Sequence, residues 1–536
     1  MSDLKVANRY LENKVDDMNK EEIGKVNIKE EYIDEVCKKT NWSRDVAESN
    51  LIKAREIGMP CKRYIANECW NLSEDEIVEL NEKIKKRIEK KKKYIELVMD
   101  ATGWDYETTK KNMEEALSLG LSYSSYYRRY AYTLEKNEIE DLVQVLRKYK
   151  QRRRSNDEFC IKIVSKKSGW DSEKVKLKMD AAKKMGISYF KFVSKGCWEK
   201  NEDELMLLAQ FIKEDKQRIV DNKDKYVKFI CKETGWTRGK CELEVWRAKA
   251  NQGASYEDYC AFKFYEIPEI EQKKYVTLED FTKMRIKYNA HDVVEKYFND
   301  KAVFNETFSN FVKRKWLRNF NITFQEFEKF IENVKKIIVK PIAATQGIGI
   351  QTFNCEEIDK KKLYEKVISL PKSIMEEFIV QNHEIAEFCK SSVNTIRVLT
   401  LNDNGKCRFL YSVFRMGQGA DVDNFHAGGI AASVNIENGV VYTDAADLEG
   451  NTYEKHPVSK KQIKGFKIPN WDKIIDKCKS ITGYVEGADL IGWDFAITEE
   501  GVDLIEGNPG ASYIVAQIPN VKYRIGLRDV MVTPFL

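Results

Sequence analysis

One recurrence limits what the first half of this chain can fold into. Asn41-Trp42, Gly103-Trp104, Gly169-Trp170 and Gly235-Trp236 repeat with their tryptophans 62, 66 and 66 residues apart. A short helical pattern precedes each pair: YIDEVCKKT, YIELVMDAT, CIKIVSKKS and YVKFICKET. A second helical stretch follows each pair and runs to Gly58, Gly120, Gly186 or Gly253, with Ala54, Ala116 and Ala182 on the same helix face in the first three. Such a period marks an array of helical units, because one unit of this size cannot bury its own apolar face and must stack on neighbours. The Thr/Ser-Gly-Trp turn and the later glycine read as helix stops, glycine supplying the left-handed cap. The tryptophans and aliphatics are therefore expected to bury against the next unit, and charged stretches such as LSEDEIVELNEKIKKRIEK to close each repeat as an amphipathic helix. The expected division is an N-terminal helical extension over 1–30, about four all-α repeats over 31–272, and a different domain over 273–536.

Composition narrows the class. At 536 residues the chain exceeds a single ordinary core. Hydrophobic residues at 42% and charged residues at 33% suit a heavily charged globular surface, and nine prolines argue against a Pro-rich stalk. The N-terminus has no apolar signal region and no run is long enough to span a bilayer, so the expected location is cytoplasmic. Twelve scattered cysteines show no paired ligand spacing; Cys61 and Cys69, or Cys231 and Cys241, read as accidental neighbours. Basic runs at 83–93 (KIKKRIEKKKK) and 147–154 (RKYKQRRR) fall at the same place in successive repeats, within a net charge of only +5. They read as solvated helix ends, with no nucleic-acid partner expected. Tyr123, Tyr126, Tyr127 and Tyr130 are dense enough that some are expected at the surface, where the array would recruit a peptide or glycan.

Chemistry is confined to the second half, where glycine becomes frequent and strand-like runs alternate with helices, an α+β pattern. Residues 337–341 (IIVKP) and the following IAATQGIGIQTF read as a hairpin. Its loop, with Thr345, Gln346, Gly347 and Gly349, would cover a polyphosphate with backbone N–H groups while Lys340 reaches a phosphate. It is not a P-loop, since the lysine precedes the glycines. In GWDFAITEEGVDLIEGN (residues 492–508), Asp494 and Glu506 are equidistant from residue 500, so an antiparallel hairpin would place them opposite each other. Asn508 falls on the same face. Two carboxylates and an amide oxygen among apolar strand residues suit magnesium. Arg397 opens an apolar strand, where an unpaired charge is costly, and a phosphate partner is the expected explanation.

In this order these segments resemble the ATP-grasp superfamily, and most of all its sugar-transfer-associated branch related to α-L-glutamate ligases. The resemblance runs from NDKAVFNETF through FVKRKWL, VKP…GIGI, EEFIVQ, SVNTIRVLT, DNFHAGGIAA, HPVS and IGWDFAIT to LIEGNPG, and leaves the repeats outside. It implies an α+β domain of antiparallel sheets with helices, binding ATP and two magnesium ions. It assigns Lys340 and Lys301, with Gln346, Gly347 and Gly349, to the nucleotide phosphates. Glu376, Glu377, Phe378 and Ile379 fall in the adenine hinge at 376–380, and Glu384 becomes a ribose ligand. Asp494, Glu506 and Asn508 bind magnesium, and Arg397 and Arg415 steady the transferred phosphoryl group. Residues 423–429 lie at the reacting centre, with His426 a candidate base. The implied reaction joins a carboxylate and an amine through an acyl phosphate. A phosphotransferase and a binding scaffold with a vestigial ATP domain are the competing readings.

Overall fold

A computed structural model describes residues 28–342, 349–419 and 428–536; of the expected N-terminal extension, residues 1–27 lie outside these. By packing, the chain divides into two compact units at Arg128/Arg129.

The first unit is helical in every element described. Its opening helix Glu30–Thr40 ends on Asn41 in the left-handed conformation (φ 61°). Arg44–Glu56, Cys61–Ala66 and a 3₁₀ turn at Cys69–Asn71 follow, and pack Val36, Leu51, Met59, Tyr64 and Cys69 into one core. Glu74–Thr102, Tyr106–Ser118 and Tyr123–Arg128 continue the pattern.

The same succession opens the second unit twice. Lys136–Ser168 and Glu202–Thr234 stop on Gly169 and Gly235, each left-handed, and a helix of similar length follows each stop. The stops share one local device. Thr40, Thr102, Ser168 and Thr234 each donate the side-chain hydroxyl to the carbonyl one turn back, at 2.7, 2.7, 2.8 and 2.7 Å. Each hydroxyl then accepts from the following tryptophan N–H at 3.2 Å. The hydroxyl thus satisfies groups the helix end would orphan, which is why the motif reads Thr/Ser-x-Trp.

Three expectations need revision. The stretch expected to close one repeat and the one expected to open the next are a single helix, of 29 residues at Glu74–Thr102 and 33 at Lys136–Ser168. Nothing between them breaks a helix, and Lys, Arg and Glu are strong helix formers. The basic runs consequently lie in helix middles rather than at helix ends. The turn tryptophans are half-buried rather than core, while Tyr123 and Tyr126 are buried and Tyr127 and Tyr130 half-buried.

Helices Leu278–Tyr288, His291–Phe298 and Lys301–Thr307 lead into two antiparallel sheets. The smaller contains β1 (Trp316–Arg318), β2 (Lys336–Pro341), β3 (Gln351–Asn354) and β4 (Ser373–Glu377), in the order β1-β4-β2-β3. The larger contains β5 (Thr395–Asp403), β6 (Lys406–Met416), β7 (Ile430–Ser433), β8 (Ala445–Ala446), β9 (Thr452–Tyr453), β10 (Leu490–Thr498) and β11 (Gly501–Asn508). Its order is β11-β10-β5-β6-β7-β8-β9. Ile396, Val398, Phe414, Ile491, Trp493 and Leu504 of this sheet form one core with Trp471 and Ile474 of helix Trp471–Ile481. Leu399, Leu401, Leu410, Ala431 and Leu490 form another with helix Tyr513–Val521. Val227, Ile230, Cys241 and Val245 belong to that second core. Packing therefore runs straight across residues 272–273, although composition changes there. The Cys231 and Cys241 sulfurs lie 3.0 Å apart, and both are free thiols.

Candidate nucleotide and metal site

The hairpin β10–β11 pairs Asp494 with Glu506 and Gly492 with Asn508. Its turn is tighter than the sequence suggests. Thr498 pairs with Gly501 and Phe495 with Leu504, so a regular ladder would set Asp494 against Ile505. A bulge after Asp494 moves the register by one and brings Glu506 opposite. The extra residue re-aims one side chain, as bulges beside functional sites do. On the other side of β10, Asp494 pairs with Arg397 of β5, so Arg397, Asp494 and Glu506 form a row across three strands.

The row is tightly bonded. Arg397 grips Asp494 through Nε to Oδ1 at 2.6 Å and Nη2 to Oδ2 at 2.5 Å. Arg415, arriving from β6, donates Nη1 to Oδ2 at 2.9 Å. Asn508 Nδ2 reaches both Asp494 Oδ2, at 3.3 Å, and Glu506 Oε1, at 3.0 Å. Asp494 is 2% exposed, whereas the Glu506 side chain is 47% exposed. Burial opposes the charge on Asp494, but Arg397 and Arg415 outweigh it and hold the carboxyl below its usual range. The same pairing raises Arg397 against the desolvation that would lower it. The expected phosphate partner of Arg397 is thus, in this arrangement, a carboxylate.

These residues suit a hard cation unequally. Glu506 is open to solvent and Asn508 needs only an amide rotation to present its oxygen. Asp494 Oδ2 already accepts from both arginines and Asn508, and would join a cation only by exchanging one of them. Among the described residues, no group of three or more histidine, cysteine or acidic side chains forms a metal cluster.

A second charged cluster ties the two sheets together. Glu376, on β4 and 1% exposed, accepts from Arg314 Nη2 at 2.6 Å and from Asn305 at 2.9 Å, and forms an ion pair with Lys340 of β2 at 2.6 Å. Arg314 also donates to Asp503 at 3.3 Å and to the Leu504 carbonyl at 2.7 Å, both on β11. Burial works against the charged Glu376 carboxyl, yet Arg314 and Lys340 hold it well below the usual carboxylate range. Lys301 stands between the clusters: its ammonium reaches the Ile342 carbonyl at 3.3 Å and lies in the fields of Glu506, Lys340 and Glu376. Burial and then Lys340 lower its pKa, against the pull of Glu506, Glu376 and Asp300.

The other expected residues are placed as follows. The Glu376 side chain is the buried anchor just described, leaving Glu377 at the end of β4 and Phe378 and Ile379 beyond it, all half-buried. The Phe378 N–H donates to the Lys336 carbonyl at 2.9 Å, and its ring lies 4.1 Å from the Lys336 ammonium. Glu384 is exposed on the short helix His383–Ala386. Gly349 follows the β2–β3 loop with φ 76°. Gln346, Gly347 and His426 lie outside the described residues. Sequence reading missed Arg314, Asn305 and Asp503. The signal for Asp503 was present: an acid in an apolar strand demands a buried partner.

Beyond Asn508 the chain folds back over β10. A Cβ on Gly492 would stand 2.4 Å from the Ala511 Cβ, so only glycine admits the 508–512 loop there. Tyr411, buried beside Arg397, Asp494 and Arg415, fixes the far end of that loop by donating to the Ser512 carbonyl at 3.1 Å.

Residues 286–530 match the family described as sugar-transfer associated ATP-grasp. The C-terminal half of this chain is therefore an ATP-grasp domain of that family. Among solved structures, the ATP-grasp ligase PsnB, complexed with a phosphomimetic variant of its minimal precursor, Mg and ADP, aligns at TM-score 0.27. It shares 11% identity over 44% of this chain and 61% of that one. D-alanyl-alanine synthetase A from Vibrio cholerae O1 biovar eltor aligns at TM-score 0.28 with 12% identity, over 46% of this chain and 68% of the other. L-amino acid ligase from Bacillus licheniformis aligns at TM-score 0.27 with 13% identity, over 42% and 44%. The chain spans about three fifths of the length of the first of these. No curated protein matches the sequence. No helix among the described residues is long and apolar enough to cross a membrane.

Proposed function

We propose that this protein is an ATP-dependent carboxylate–amine ligase, working through an acyl phosphate, on an amino-acid, peptide or sugar-linked substrate. The observation that carries the reading is the position of Lys301. Its ammonium lies in the fields of Lys340 and Glu376, the pair that Arg314 completes, and of Glu506, which stands beside Asn508 and Asp494 on the large sheet. A magnesium nucleotide needs both within one cleft, cations for its phosphates and oxygen donors for its metal.

In this reading Lys301 and Lys340 hold the phosphates, together with the loop bearing Gln346, Gly347 and Gly349. Backbone groups at Glu377, Phe378 and Ile379 meet the adenine, and Glu384 the ribose. Glu506 and Asn508, joined by Asp494 through exchange of an arginine donor, hold magnesium, which when bound neutralises phosphate charge. Arg397 and Arg415 steady the transferred phosphoryl group, one of them freed by that exchange. Catalysis by this set is positioning and charge neutralisation, with little proton chemistry of its own. His426 is the candidate base for the incoming amine. The helical repeats of 31–272 recruit the substrate.

An ADP-release screen over amino acids, peptides and sugar acids tests this, with each acceptor offered with and without an amine. Release of ADP and phosphate that requires both co-substrates, with an amide product, is the expected result. A stable phosphorylated alcohol would make the protein a phosphotransferase instead.

A further inference from the structure

Helix Leu278–Tyr288 and the residue Val276 before it are fastened to the C-terminal segment 513–528 at several points. The Gln517 side chain accepts from the Val276 N–H at 2.8 Å and donates to the Val276 carbonyl at 3.0 Å. Asp280 is ion-paired with Arg528, and the Phe281 ring packs 5.3 Å from that of Tyr513. Four residues beyond Phe281, on the same helix face, stands Arg285. Its guanidinium lies 3.7 Å from the position a Cβ on Gly510 would occupy, on the loop that carries Asn508.

This arginine differs from the cations around it. Lys283 pairs with Glu279 at 3.0 Å and Lys287 bonds the Phe535 carbonyl at 2.6 Å. The Arg285 side chain makes no hydrogen bond or ion pair among the described residues and is reached by solvent. The surrounding protein lowers its pKa by desolvation, and no acidic neighbour compensates. A planar fork of donors beside Gly510, two residues along the loop from the metal-ligand candidate Asn508, is suited to a carboxylate, which it can bind bidentately.

We infer that Arg285 is the specificity-determining anchor of an acidic acceptor, holding a substrate carboxylate at the edge of the 508–512 loop while a second group meets the phosphoryl donor. The assignment rests on the nucleotide reading above, and narrows its substrate class to acceptors that bear a carboxylate beside the reacting group.

The test titrates succinate, and separately inorganic phosphate, into the full chain loaded with Mg·ADP, for wild type, Arg285→Gln and Arg285→Lys. Succinate is expected to bind the wild type, about 10- to 100-fold more weakly to Arg285→Gln, as loss of a charge-assisted bidentate contact implies. Arg285→Lys should recover part of the loss, and Mg·ADP affinity should be equal in all three. Equal succinate binding by wild type and Arg285→Gln, no succinate binding at all, or an Arg285-dependent response to phosphate alone would each overturn the inference. Failure of Mg·ADP to bind the wild type would instead overturn the nucleotide reading, and this assignment with it.

Discussion

Glu376→Gln should be among the most damaging conservative changes in the ATP-grasp domain. The carboxylate is 1% exposed and is ion-paired at 2.6 Å with both Arg314 and Lys340. Removing the charge keeps the shape but leaves Arg314, itself 3% exposed at the side chain, with only Asp503 at 3.3 Å as counter-ion. Breaking a buried pair from one side costs about 3–5 kcal/mol, because the surviving charge stays desolvated. Lys340→Met leaves the carboxylate its buried partner Arg314, so this change alone should cost nearer ~1 kcal/mol. In the double variant the ammonium no longer faces an amide N–H, and the two costs should fall short of additive by about 1–2 kcal/mol. Urea unfolding followed by tryptophan fluorescence gives the cycle. Acid supplies an independent check. The folded carboxyl is held below its usual range, so its contribution is whole above the unfolded value of ~4.3 and drains away as pH falls toward the folded one. Wild type should therefore lose stability on acidification more steeply than Glu376→Gln. A cost for Glu376→Gln under ~1 kcal/mol, with parallel acid profiles, would refute the reasoning.

Arg397→Met removes the bidentate partner of a buried carboxylate, and should cost about 3–5 kcal/mol by urea unfolding. His456 is buried, its Nε2 2.8 Å from the Gly417 carbonyl, and burial lowers its pKa. The folded state then binds fewer protons, so stability should fall as pH drops below ~6.5, and His456→Gln should flatten that slope in thermal melts at pH 5–8. Thr102→Val deletes both bonds of the hydroxyl that links Val98 to Trp104, and should cost about 1 kcal/mol by the same assay.

How much of this was legible in the sequence follows from the range of each interaction. The repeat stops were readable because they are local: a hydroxyl, a left-handed residue and a tryptophan N–H lie within three positions. The fusion of successive helices was obscured by their charged middles, which carry no apolar stripe to follow. Asp494 and Glu506 were correctly paired, but by a count that ignored both the tighter turn and the bulge that offsets it. Lys340 and Arg397 could be singled out as chemistry-bearing, while their pairing with Glu376 and Asp494 could not. Glu376 lies 36 residues from Lys340 and Asp494 lies 97 from Arg397, so nothing short of the folded sheets brings them together. Arg314 was invisible for the same reason, since its role is to bond strands of different sheets.

The most direct test of the central claim is calorimetric titration of the full chain with a non-hydrolysable ATP analogue, with and without magnesium, for wild type, Lys340→Met and Glu506→Gln. One magnesium-dependent site per chain is predicted, weakened in both variants, with Glu506→Gln also blunting the magnesium dependence. Absence of binding, or binding indifferent to magnesium and to both substitutions, would contradict it.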